Sequence, residues 1–169
     1  RKPQELYEKA LLLNPENRYL MQLLAGSYFT TEQYEKAKKL YLQACEQDTS
    51  VFLLKQAGLC CEKLLQDEEA IFFYMRAIHW DPLDYQPAFR LANLYKNLRE
   101  YDMGIAVADS FLQRVPDNRD VMRLCGYLHY LNKDFPTAIS RFEQSLALSD
   151  SSVFVHKYLG YSYFKQNEF

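Results

Sequence analysis

Glycine and proline are both scarce here, with five and six residues in a chain of 169, while aromatic residues reach 15%. That composition is the reverse of a disordered segment's. Long apolar runs are missing as well. The longest stretch without a formal charge, residues 19–31, is 13 residues long, well short of the roughly 20 that a membrane-spanning helix needs. Charge of one sign is also lacking, because 20 basic side chains face 22 acidic ones. No whole-molecule field draws the chain to nucleic acid or anionic lipid, so neither is expected as a partner. Among the four cysteines, Cys45, Cys60, Cys61 and Cys125, no C-x2-C spacing occurs. They read first as small buried hydrophobes. Neither G-x-x-x-x-G-K nor G-x-G-x-x-G is present, which removes the phosphate cradle that nucleotide binding needs. No leader segment opens the chain, and Arg1 reads as a cut end, which leaves the compartment open.

What the chain does have is self-similarity. The series Met21, Leu24, Ala25, Tyr28, Ala37, Tyr41, Ala44, Thr49 returns as Leu54, Ala57, Gly58, Cys61, Ala70, Tyr74, Ala77, Pro82. It returns again as Ala88, Leu91, Ala92, Tyr95, Gly104, Ala108, Phe111, Pro116, and as Met122, Cys125, Gly126, His129, Ala138, Phe142, Ser145, Asp150. Half-copies flank these, with Pro3, Tyr7, Ala10 and Pro15 before and His156, Leu159, Gly160 and Tyr163 after. The implied units are a second half at 1–17, full repeats at 18–50, 51–84, 85–118 and 119–152, and a first half at 153–169. With a unit interrupted at each end, a fragment of a longer array is the expectation.

Small and large residues alternate with the repeat. Ala25, Gly58, Ala92, Gly126 and Gly160 share the position where the two helices of a unit approach most closely, and a larger side chain there would overpack. Ala37, Ala70, Gly104 and Ala138 form a second small series, with Tyr41, Tyr74 and Phe142 supplying volume one turn later. In the third repeat the sizes trade places, with Ala108 at the large position and Phe111 at the small one. Aromatics mark the turn between helices at Tyr34, Tyr101, Phe135 and Phe169, with Asp67 the single exception. Pro15, Pro82 and Pro116 end helices, and Pro87 and Pro136 begin them.

This spacing resembles the tetratricopeptide repeat, a 34-residue helix-turn-helix unit with a large-x2-L-G-x2-Y…A-x3-F…P pattern, and the resemblance spans the whole chain. It implies an all-α fold, a right-handed superhelical solenoid of antiparallel helix pairs. It also implies a non-catalytic protein-interaction module whose partner lies extended along a concave surface lined by the first helix of each unit. Members that bind chaperone tails grip two carboxylates with Lys, Asn and Arg at fixed sites. Of the equivalent residues here only Arg90 matches, which argues against that partner class.

Residue chemistry points the same way. Cys125 and His129 stand four apart on one helix face, as a metal pair would, but no third or fourth ligand is evident and core packing is the reading preferred. Nothing supplies an orienting group or oxyanion site for a nucleophile, so no enzyme, cofactor or metal is expected. Trp80 reads as a core anchor.

The lining stripe, taken as positions 2, 5, 6, 9, 12 and 13 of each repeat counted from residues 18, 51, 85, 119 and 153, is more distinctive. Its 30 positions hold ten aromatic residues, and seven Lys or Arg against Glu62 and Asp120. That is a net +5 in a chain whose total is −2. A cationic, aromatic groove suits a peptide with acidic and hydrophobic side chains. Its candidate contact residues are Phe89, Arg90, Asn93, Lys96, Asn97, Arg123, Tyr127, Tyr130, Tyr158 and Tyr161. The alternative is a structural spacer, a scaffold self-associating through uncapped ends, or a regulatory segment of a larger protein.

Overall fold

Ahead of the first helix of each repeat stands a short side chain carrying an oxygen: Asn17, Ser50, Asp84, Asn118 and Ser152. Each accepts a hydrogen bond from a backbone N–H in the first helical turn, at 3.0 Å from Leu20, 3.4 Å from Leu53, 3.0 Å from Gln86, 3.0 Å from Val121 and 3.4 Å from Val155. Capping of this kind satisfies donors that the helix leaves without partners.

The computed structural model describes residues 2–47, 49–149 and 152–167. Arg1, Asp150 and Phe169, named above, lie outside the described residues. The described residues form ten helices and no strand. These are α1 (Lys2–Leu13), α2 (Arg18–Thr30), α3 (Tyr34–Gln47), α4 (Val51–Lys63), α5 (Asp67–Trp80), α6 (Tyr85–Asn97), α7 (Tyr101–Leu112), α8 (Arg119–Leu131), α9 (Phe135–Ala147) and α10 (Val153–Asn167). None is long and apolar enough to cross a membrane.

The chain divides into two compact units, residues 1–81 and residues 82–169. In the first, each helix from α1 to α5 lies against the next, and α2 and α3 enclose a core of Met21, Leu24, Tyr28, Ala37 and Tyr41 to which α4 adds Leu53 and Cys60. In the second, each helix from α6 to α10 again lies against the next. Here α6 also lies beside α8, and α8 beside α10.

Size alternation explains the close pairing. A Cβ added at Gly58 would stand 2.7 Å from the Tyr74 ring, and one at Gly126 would stand 3.0 Å from the Phe142 ring. The Tyr74 hydroxyl, with its ring seated on Gly58, donates to the Glu62 carboxylate across the same hairpin. In the third repeat Ala108 and Phe111 are both buried, so the traded volume does fill the core.

Three expectations need correction. Trp80 is 58% exposed rather than a core anchor, because it sits on the last turn of α5 beyond the packing stripe of Ala70, Tyr74 and Ala77. His156 is exposed although its counterparts Met21, Leu54, Ala88 and Met122 are buried. An added Cβ at Gly160 would meet nothing within 4 Å. Both of these lie on α10, and no second helix of the same repeat follows it among the described residues to cover them.

The turn inside each full repeat is sharp. Glu32, Leu65, Arg99 and Lys133 take φ of 60°, 58°, 63° and 64°, the left-handed region. The following amide then reaches back to the helix, as Gln33 N–H does to the Tyr28 carbonyl at 2.9 Å and Asp134 N–H to the His129 carbonyl at 2.9 Å. All four cysteines are free. Burial pushes the Cys60 thiol up to about 12 and the Cys61 thiol up to about 11, so both are neutral packing groups.

Candidate functional site

Helices α6, α8 and α10 are the first helices of three successive repeats. Because α8 touches both of the others, equivalent repeat positions fall beside one another. The stripe therefore becomes a continuous surface in this unit. Between the three helices lies a cleft of about 180 Å³. Phe89, Asn93 and Lys96 line it from α6, Asp120, Arg123, Leu124 and Tyr127 from α8, and Phe154 from α10.

The polar side chains are held in place by their own helices. Asn93 donates through Nδ2 to the Phe89 carbonyl at 3.1 Å, and its Oδ1 accepts from Lys96 Nζ at 2.7 Å. Arg123 Nη2 donates to Asp120 Oδ1 at 2.5 Å. Among the described residues no carboxylate pairs with Lys96, and burial pushes its ammonium below the ordinary lysine value. Two cations against one acid leave the cleft positive, and the partly desolvated ammonium has Asn93 as its partner. An incoming carboxylate would relieve that imbalance.

An aromatic cluster adjoins the cleft. The Tyr127 ring lies 5.2 Å from Phe154 and 4.6 Å from Tyr158, and Tyr130 lies 5.2 Å from Tyr158. Tyr161 follows at 5.8 Å from Tyr158, and Lys157 Nζ stands over both of these rings at 5.4 and 5.7 Å. These spacings are those of favourable edge-to-face and offset pairs. Burial, then the hydrogen bond with Tyr158, pushes the Tyr127 phenol up to about 12. The rings thus do two things at once. They hold α8 against α10, and they leave part of their surface open, with Tyr127, Tyr130 and Tyr158 half-buried and Tyr161 exposed.

Of the ten candidate residues, Phe89, Asn93, Lys96, Arg123 and Tyr127 line the cleft, while Tyr130, Tyr158 and Tyr161 form the adjoining cluster. Arg90 and Asn97 are exposed on α6 and lie outside the lining. Asp120, Leu124 and Phe154 complete the cleft. All three belong to the lining stripe, so their position was the available signal, but a selection weighted toward cations and tyrosines passes over them.

A family model for the tetratricopeptide repeat matches residues 19–50, the α2–α3 hairpin. The C-terminal part of a TPR repeat-containing protein from Cytophaga hutchinsonii superposes with a TM-score of 0.89 at 18% identity, over 99% of this chain and 66% of that one. Residues 19–50 are a tetratricopeptide repeat, and the chain has the fold of an array of them. Anaphase-promoting complex subunit 6 of Dictyostelium discoideum is 30% identical over 86 residues of the array, covering 49% of this chain and 10% of that protein. The matched segment therefore spans about a tenth of the length of this curated relative. YrrB, described as a TPR protein with an unusual peptide-binding site, superposes with a TM-score of 0.75 at 17% identity, over 92% of this chain and 81% of that one. At such identities the likeness to solved structures shows the fold, stacked antiparallel helix pairs. Tetratricopeptide arrays generally serve protein–protein interaction and are typically non-catalytic scaffolds.

Proposed function

We propose that this array is a non-catalytic interaction module that binds an extended segment of a partner protein across α6, α8 and α10. An aliphatic or aromatic side chain of the segment lies against Phe89, Tyr127 and Phe154, and an acidic side chain meets Lys96 beside Arg123. One observation carries the reading: a partly desolvated ammonium, with no carboxylate partner among the described residues, stands in the same small cleft as three aromatic walls. A flexible peptide loses ordering entropy on docking, so affinity on the order of micromolar, about −8 kcal/mol, is expected. The peptide-binding site described for YrrB supports a groove of this kind.

Fluorescence polarisation with labelled extended peptides, acidic and aromatic positions varied independently, tests it. Acidic, aromatic peptides should bind, and Lys96→Gln should weaken them about tenfold while circular dichroism stays helical. Phe89→Ala should weaken aromatic peptides regardless of their charge. Equal binding by parent and variants, or no binding by the parent, would retire the groove.

A further inference from the structure

Asp109 on α7 comes together with Cys125 and His129 on α8, with one ligand-type atom of each lying within 4.8 Å of the others. The Cys125 thiol donates to Asp109 Oδ1 at 3.3 Å, a carboxylate oxygen that also accepts from Arg141 Nη2 at 2.6 Å. His129 Nδ1 lies 3.0 Å from Asp134 Oδ2. A carboxylate there holds the proton on Nδ1 and leaves the lone pair on Nε2. That Nε2 is sealed from solvent and has no hydrogen-bond partner among the described residues, on a histidine only 8% exposed. A buried basic nitrogen without a partner is an unusual thing for a fold to keep. At the equivalent repeat positions the other units carry Leu24 with Tyr28, Ala57 with Cys61, and Leu91 with Tyr95, so the pairing of thiol and imidazole is particular to this repeat.

We propose that Asp109, Cys125 and His129 form a binding site for one zinc-class divalent cation, with water in the fourth place. Thiolate, imidazole and carboxylate together are the donors that such a borderline-soft ion takes. Tetrahedral bonds of about 2.0–2.3 Å set ligand atoms roughly 3.3–3.8 Å apart. The sulfur and carboxylate are already at 3.3 Å, and a closer approach of the imidazole completes the set. On binding, the Cys125 proton leaves to solvent, the thiolate bonds to the cation, and the thiol–carboxylate hydrogen bond is exchanged for a metal–carboxylate bond. Asp134 and Arg141 remain as the outer partners that orient His129 and Asp109. On the carboxylate side, Asp109 and Arg141 border a cleft of about 590 Å³ between α7, α8 and α9, so local opening there admits the ion.

The test is titration of the metal-free whole chain with cobalt(II) chloride and then zinc chloride. One equivalent of cobalt should give a thiolate-to-cobalt charge-transfer band with tetrahedral ligand-field absorption, and one equivalent of zinc should abolish both and raise the melting temperature. The band should survive combined Cys45→Ser, Cys60→Ala and Cys61→Ala substitution and vanish with Cys125→Ser. Asp109→Asn, with circular dichroism still helical, should weaken zinc at least tenfold, and Asp134→Asn should weaken it by about tenfold. Absence of the charge-transfer band from the parent chain, or zinc affinity unchanged by both Cys125→Ser and Asp109→Asn, overturns the proposal.

Discussion

Leu65 shows what a single residue bears so that a repeat can turn. Its φ of 58° is a conformation that residues other than glycine adopt only at a cost, and the side chain is 84% exposed, so it gains little contact in return. A left-handed backbone costs an L residue roughly 1–2 kcal/mol, and glycine escapes most of that. Leu65→Gly should therefore stabilise the chain by about 1 kcal/mol, read as a higher urea midpoint with an unchanged slope. A lower midpoint would mean that the leucine side chain contributes more than its exposure suggests. Nothing in the sequence marks this conformation, because the four positions hold Glu32, Leu65, Arg99 and Lys133, with no glycine or asparagine among them. The turn is imposed by the helices on either side, whose packing outweighs the local preference.

At the scale of the helix pair, the small position of the repeat has two fates. Gly58 faces the Tyr74 ring, whereas Gly160 faces open space. Gly58→Ala should thus destabilise the chain by about 1–3 kcal/mol through overpacking. Gly160→Ala should stabilise it by up to about 1 kcal/mol, since only the entropy of a helical glycine is at stake. Denaturant melts of both variants measure the contrast, and equal effects would mean that α10 is covered in solution. The pairing of helices was legible because it rests on side-chain volume at a fixed period, which composition displays directly in Gly58 with Tyr74 and Gly126 with Phe142. The caps at Asn17, Ser50, Asp84, Asn118 and Ser152 keep the same period and were equally open to reading. Helical spacing places all eight cleft residues on the stripe, and the choice of cations, amides and aromatics within it picks out five of them, Phe89, Asn93, Lys96, Arg123 and Tyr127. Spacing along one helix could not bring Asp109 to Cys125 across 16 residues and a hairpin. Nor could it show that the tyrosines of α8 and α10 use much of their surface on one another.

Across the whole molecule, buried acids of a weak kind accumulate. Burial, then a hydrogen bond to Glu8, pushes the Tyr28 phenol up to about 12, and burial pushes Tyr41 up to about 12 as well. Tyr127 shares that value, as do the Cys60 and Cys125 thiols. Each folded value lies above the unfolded one, near 9 for a thiol and near 10 for a phenol, so folding favours the neutral form. The resulting stability is complete below about pH 9 and is lost as the pH climbs through about 11 to 12. Urea midpoints should hold level to about pH 9 and then fall, while phenolate absorbance rises late. A midpoint unchanged up to pH 12 would contradict the assignment.

The same burial gives each compact unit a chemical clock of its own. Cys60 and Cys61 lie in one, Cys125 in the other, and none exposes its sulfur in the folded state. A maleimide can reach such a sulfur only during a spontaneous opening. Labelling rates at these cysteines consequently count how often each half of the array breathes, with no engineered reporter.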